Sequence, residues 1–263
     1  MNEIQNPHII KVKKLFARYD KKIILENIDF EINAGEIFMI IGGSGCGKTT
    51  LLNHMIGLLS PSSGNVFIEG EDLFGVSEEK QLSILRKFGV LFQNGALFAS
   101  INVLANIGLP LKELTKLPEE AILPIVQIKL KMVGLDNVLT LLPAELSGGM
   151  RKRVAVARAM ALDPKIIFLD EPTSGLDPVS AGEMDTLIDN LSKILGITFV
   201  IISHDLISIK KIAKRAIFLH QGQIVAEGNP KEFNKHHNLI VKNFFNREQE
   251  EEEEEEEQEE VEL

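Results

Sequence analysis

The chain has 263 residues, 44% of them hydrophobic, which is enough for one large core or two modest ones in an ordinary globular protein. Its formal charge of -10 is localised: Glu248 to Glu262 holds twelve glutamates and no base, leaving 26 acids against 28 lysines and arginines, about +2, over residues 1–247. That near-neutral body gives no electrostatic basis for binding nucleic acid, no apolar run reaches the roughly 18–20 residues that cross a bilayer, and a single cysteine rules out an internal disulfide.

The opening MNEIQNPHII lacks the basic segment and apolar core of an export signal, so the expected location is the cytoplasm. Residues 9–33 alternate apolar and polar around a turn at Asp20 to Lys22, the pattern of two antiparallel strands. Tyr19, the only tyrosine, stands beside that turn, where it can either pack on a strand end or stack on an aromatic base.

An apolar strand, Ile37 to Ile41, then enters the run Gly42-Gly43-Ser44-Gly45-Cys46-Gly47-Lys48-Thr49-Thr50 and leaves it as an amphipathic helix. Glycines at 42, 43, 45 and 47 permit backbone conformations closed to other residues, so successive N–H groups can turn toward anionic oxygens, and the following helix adds its positive end. In such a phosphate loop Lys48 is placed to reach the β- and γ-phosphates and the Thr49 hydroxyl to ligate Mg²⁺; Cys46 fits as a small side chain in the turn, with an exposed, reactive thiol as the alternative.

Leu51, Leu52, Met55, Ile56 and Leu59 give the helix its inner side, Pro61 to Gly64 end it, and a short strand comes next at Val66 to Ile68. A helix over 77–87 leads to a strand at Val90 to Phe92, and Gln93 at its end offers a donor and an acceptor that suit Mg²⁺ or a water, or simply a solvated loop. From Ser100 to about Leu142 the periodicity becomes helical, with Pro110, Pro118 and Pro124 expected as punctuation and Gly134 as a stop. The apolar Val103, Leu104, Ile107, Leu109 and Leu111 either pack this segment or form a groove for a partner's helix.

Ser147-Gly148-Gly149 opens a further helix over 150–162, with Ser147 as N-cap and Arg151, Lys152 and Arg153 adding positive charge: a second anion-binding helix start, useful if it closes on a nucleotide from the opposite side. The uninterrupted apolar strand Ile166 to Leu169 ends in Asp170-Glu171, two acids costly to bury without a task; Asp170 suits Mg²⁺ through water, and Glu171 suits accepting a proton from an attacking water. A helix over 180–195 and a strand over 197–202 come next, ending in His204, a potential γ-phosphate donor, and two more strands, Ala216 to Leu219 and Gln223 to Glu227, close the sheet. The glutamate run after Asn246 is expected to be a solvated, disordered tail, and His236-His237 have no partner spacing for a metal.

Together these residues resemble the ATP-binding subunit of an ABC transporter over residues 9–245. GGSGCGKT (42–49), Gln93, LSGGM (146–150), IIFLDE (166–171), SGLD (174–177) and His204 appear in that family's order. The resemblance implies a P-loop α/β ATPase with a parallel-sheet core, an antiparallel β subdomain and an inserted helical subdomain at about 100–162, in a domain spanning 1–245, with 246–263 as the tail. It implies ATP and Mg²⁺ as cofactors, Tyr19 as an adenine-stacking aromatic, and Glu171, His204, Lys48 and Gln93 as catalytic residues. It also implies a head-to-tail dimer in which Ser147, Gly148 and Gly149 of one copy cap ATP held by the other.

Met150, where many members have Gln, together with LFQNGALFASINVLANIGLPLKE (91–113) and LLPAELSGGM (141–150), is similar to the Mla group, which moves phospholipids between the membranes of diderm bacteria. That similarity implies a MlaE-type membrane permease, an MCE-domain binding protein, a small STAS-domain subunit, and a peripheral position at the cytoplasmic face of the inner membrane. Two other readings stand beside it: an ABC ATPase for another cargo, and one acting on DNA or ribosomes. The second would need a long coiled coil between Gln93 and the signature, or two ATPase halves, and the chain has neither.

Overall fold

The computed structural model describes residues 8–246. The glutamate run lies outside them.

Two sheets carry the chain. The first is antiparallel, in the order β2-β1-β4-β5, built from β1 (His8–Tyr19), β2 (Lys22–Asn33), β4 (Ser63–Ile68) and β5 (Glu71–Asp72). The second has six strands in the order β10-β9-β3-β8-β7-β6: β3 (Ile37–Ile41), β6 (Phe88–Leu91), β7 (Ile166–Asp170), β8 (Thr198–Ile202), β9 (Arg215–His220) and β10 (Gln223–Gly228). All its pairings are parallel except β9 with β10.

The uninterrupted apolar strands read as buried on both faces, and they are: every residue of β3, β7 and β8 is buried. Alternation divides their side chains between two cores. Ile37, Met39, Ile41, Ile167, Leu169, Phe199 and Ile201 face a helical layer that includes α5 (Gly148–Ala159), α6 (Pro178–Leu195) and α7 (Leu206–Ile212). Phe38, Ile40, Ile166, Phe168, Val200 and Ile202 face the antiparallel sheet, α1 (Lys48–Met55) and α2 (Glu78–Leu85). Phe30 of β2 stacks on Phe38 of β3 with ring centroids 5.4 Å apart, joining the two sheets.

The helical insertion consists of α3 (Val103–Leu114) and α4 (Glu119–Met132), which pack on each other and on α5. Proline behaves differently here from the expectation. Pro118 caps α4, but Pro110 lies inside α3 and Pro124 inside α4. Each removes one backbone hydrogen bond from its helix, yet both helices continue because their apolar sides are buried, through Val103, Ile107 and Leu111 on α3 and Val126 and Leu130 on α4. The close seat of α5 on β6 has a specific cause in Gly89. A Cβ there would lie 2.0 Å from the carbonyl oxygen of Ala159.

Parallel strands all point their carboxyl ends the same way, so the segments leaving β3, β6, β7 and β8 emerge along one edge. Those segments carry residues 42–48, Gln93, Asp170-Glu171 and Ser203-His204.

Candidate active site

Gly42, Gly43, Ser44, Gly45, Lys48, Thr49, Gln93, Asp170, Glu171 and His204 line one cleft, of about 530 Å³, at that edge. The loop's glycines divide by function. Gly42 (φ 149°) and Gly47 (φ 110°) take left-handed backbone, and a Cβ on Gly42 would lie 2.2 Å from the Leu219 carbonyl oxygen, so these two let the loop fold close to the sheet. A Cβ on Gly43 or Gly45 would meet nothing within 4 Å; these two leave the cleft's floor open. The Lys48 ammonium donates back to the carbonyls of Gly42 (2.7 Å) and Gly43 (3.0 Å), which centres its charge on the loop. Cys46 is buried, so its thiol is not the exposed group that the alternative reading requires.

Across the cleft, Asp170 and Glu171 are both buried. Burial, and then the adjacent Glu171 charge, hold the Asp170 carboxyl above the usual carboxylate range, while Lys152 and Lys48 pull it down. A cation in the cleft would reverse that unfavourable balance. The donors present, a hydroxyl (Thr49), an amide (Gln93) and one or two carboxylates, fit Mg²⁺, which takes few protein ligands and keeps water and phosphate oxygens for the rest. Among the described residues no group of three His, Cys, Asp or Glu is gathered to hold a metal.

Glu171 follows β7 in left-handed backbone (φ 51°). Its carboxyl oxygen lies 2.7 Å from His204 Nδ1 in a hydrogen bond, which leaves Nε2 as the imidazole nitrogen outside that pair. The imidazole is largely exposed and lines the cleft, so the base candidate and the phosphate-donor candidate are one hydrogen-bonded pair.

Not every expected residue gathers there. Tyr19 stands 52% exposed at the end of β1 and is not part of the cleft wall. Ser147 caps α5 by accepting from the Met150 N–H, and Gly148 borders a second cavity, of about 190 Å³, shared with Gln93 and Ser174 to Leu176. The signature helix start is therefore outside the phosphate cleft of its own chain.

Three features escape the sequence reading. Phe244, in a terminal helix over 239–246, forms part of the cleft wall and packs edge-on against Phe218 at 5.0 Å. Lys152 of α5 is buried behind the cleft. A third group ties the helix after SGLD to the histidine segment: Ser208 Oγ lies 2.9 Å from Asp185 and 3.0 Å from Asp205, and Asp205 also accepts from Thr173 and caps α7. The Ser208 hydroxyl is the donor to both carboxyls and has a single hydrogen to share between them. Asp185 is the buried one, and burial pushes its pKa up, opposed by the Ser208 hydrogen bond and Lys211 and reinforced by Asp205.

A profile of the ABC transporter family matches residues 25–174. The chain is 39% identical over 243 residues, 92% of each sequence, to the intermembrane phospholipid transport system ATP-binding protein MlaF of Haemophilus influenzae. Among solved structures it is similar to cbiO1 of Clostridium perfringens, part of the ABC transporter complex cbiONQ (TM-score 0.81, 32% identity, 90% of this chain and 94% of that one). It is also similar to the dimeric bacterial ABC transporter cassette MJ0796 (TM-score 0.76, 32% identity, 84% and 98%), which is also known in a post-hydrolysis state bound to ADP and Pi.

The Asp185 contact has a pH signature. A carboxyl with a raised folded-state pKa contributes stability that is fully present below the unfolded value, about 3.9, and lost as pH rises through the folded value. Asp185→Asn, which keeps an acceptor for the Ser208 hydroxyl and cannot ionise, is expected to match the wild type in acid and exceed it in stability above the raised pKa, as read by denaturant midpoints across pH. A variant less stable than wild type at neutral pH would refute the reading that burial disfavours the charged Asp185 carboxyl.

Proposed function

The chain belongs to the ABC transporter family, whose ATP-binding subunits hydrolyse ATP, and on that premise we propose that it powers phospholipid transport between inner and outer membranes in a Mla-like system. The observation that carries the ATPase part is the convergence of the glycine loop, Lys48, Thr49, Gln93, Asp170, Glu171 and His204 on one cleft. Similarity to MlaF along 92% of both chains supports the cargo.

In this reading the loop amides and Lys48 hold the β- and γ-phosphates, and Thr49, Gln93 and Asp170 hold Mg²⁺, which when bound offsets charge on the phosphate oxygens. Glu171 orients the attacking water and takes its proton, and His204, held by Glu171 through Nδ1, turns its other nitrogen to the γ-phosphate. Tyr19 stacks on adenine. Ser147, Gly148 and Gly149 lie outside their own cleft and serve the nucleotide of a second copy in a head-to-tail dimer, a reading supported by the dimeric relative.

No helix among the described residues is long and apolar enough to cross a bilayer, and by analogy with the Mla group the chain meets the membrane through a permease. An apolar groove of about 470 Å³ between α3 and α4, lined by Leu104, Gly108, Leu109, Ile122 and Leu123, suits a helix of a MlaE-type permease. Such an assembly places the domain over 1–245, with its helical subdomain at about 100–162, on the cytoplasmic face of the inner membrane. An MCE-domain protein and a STAS-domain subunit complete it by analogy with the Mla group.

Glu171→Gln is expected to bind MgATP with near wild-type affinity and to lose turnover by about 10²–10⁴-fold; near-normal hydrolysis would remove Glu171 as the base. Purification of the chain from membranes is expected to bring a permease with bound phospholipid. Recovery of a solute permease free of lipid would overturn the cargo and leave the ATPase intact.

A further inference from the structure

Lys152 has no place in the mechanism above, yet its position is unusual. It lies on α5, five residues after the Ser147 cap, with its side chain buried. Burying an ammonium costs several kcal/mol unless it is paired and hydrogen-bonded. Burial does hold its pKa below the ordinary lysine value, opposed by the charges of Asp170 and Glu171. Its partners are two backbone carbonyls from different elements: that of Gln93, after β6, and that of Glu171, after β7, at 3.0 Å.

Both residues need holding. The left-handed backbone of Glu171 is a conformation that strains a non-glycine residue and persists only where its surroundings over-determine it. Its N–H donates to the Ile202 carbonyl (3.0 Å), and its own carbonyl accepts from Ser174 N–H (3.2 Å) and from Lys152. Of these three, only the Lys152 bond comes from outside the parallel strand ends and their loops. Gln93 borders both the phosphate cleft and the cavity beside Gly148, so the position of its peptide sets where its amide can reach.

We propose that Lys152 is a positioning residue for ATP hydrolysis: its ammonium fixes the backbones of Glu171 and Gln93 to a single point on the helix that begins with the signature glycines. This rests on the reading of Glu171 as the base. Because α5 starts with the segment that meets the partner's nucleotide, a shift of that helix on dimer closure is carried to the base and to the cleft amide through one side chain. Lys152 acts through the two carbonyls that its ammonium holds.

Steady-state hydrolysis by the full chain tests this, comparing wild type, Lys152→Met, Lys152→Arg and Glu171→Gln. Misplacing a base by a fraction of an ångström to about 1 Å costs up to about 10²-fold, so Lys152→Met is expected to lower kcat by about 10- to 100-fold. Its KM for MgATP is expected to stay within about two-fold of wild type, the split that marks an interaction needed in the transition state and not for binding. Lys152→Arg, which keeps charge and donors, is expected to restore most of the loss. Unchanged kcat in Lys152→Met, a KM that rises in step with the loss of kcat, or absence of rescue by arginine would each overturn the proposal. If Lys152→Met does not fold, Lys152→Gln is read in the same way, and unfolding of both would assign the lysine a structural role and also overturn it. The outcomes separate the two readings. Near-normal turnover in Glu171→Gln defeats the site assignment, whereas an inactive Glu171→Gln beside a fully active Lys152→Met defeats this inference alone.

Discussion

The exit of β7 is the constraint on which the site depends. Two carboxylates leave a strand whose every residue is buried, and the chain must set them beside a phosphate loop without leaving them uncompensated. Fixed cations sit on both sides: Lys48 across the cleft, turned onto the loop carbonyls, and Lys152 behind it. The second carboxylate is committed to His204. The Asp170 carboxyl is held above its usual range by burial and by the adjacent Glu171 charge, with Lys152 and Lys48 opposing them.

The parallel sheet makes the arrangement possible. Lys48, Gln93, Asp170-Glu171 and His204 come from four separate stretches of the chain, but each lies at or just past the end of a strand of the same sheet at the same edge, so strand pairing brings them together. The helical layer rests on the opposite face of that sheet from the antiparallel one, and α5 belongs to that layer. It lies on β6 where Gly89 admits it, carries the signature start at one end, and sends Lys152 and Arg158 into the segment after β6, where Arg158 donates to the carbonyls of Gly95 and Ala96. Asn106 of α3 clamps the rest of that segment through Phe98, Ile101 and Asn102. The connection between the cleft and the apolar groove on α3 and α4 is thus an ordered stretch of backbone tied down by side chains from two helices.

Much of this was legible in the sequence because its signals are local. The glycine loop, the acids ending an apolar strand and the Ser147 cap each announce themselves within a few residues, and the alternation over 9–33 reads directly as the β1–β2 hairpin. The features that were not legible depend on partners distant in the chain. Lys152 reads as one of three surface bases, and only the fold sets it under Gln93 and Glu171, 59 and 19 residues away. Nothing local in the sequence singles out Asp185, and only the fold brings Ser208 and Asp205 to it. Pro110 and Pro124 read as breaks because intrinsic propensity is local, whereas the burial that carries both helices through them is tertiary.

One claim underlies the whole: a single chain holds a nucleotide's phosphates but lacks the cap, which a second copy supplies. Measuring the oligomeric state of the Glu171→Gln chain by analytical ultracentrifugation, with and without MgATP, tests it most directly. The expected result is a monomer that becomes a dimer with two bound nucleotides when MgATP is added. A chain that binds MgATP yet stays monomeric at saturating nucleotide, both alone and with its permease, would contradict it.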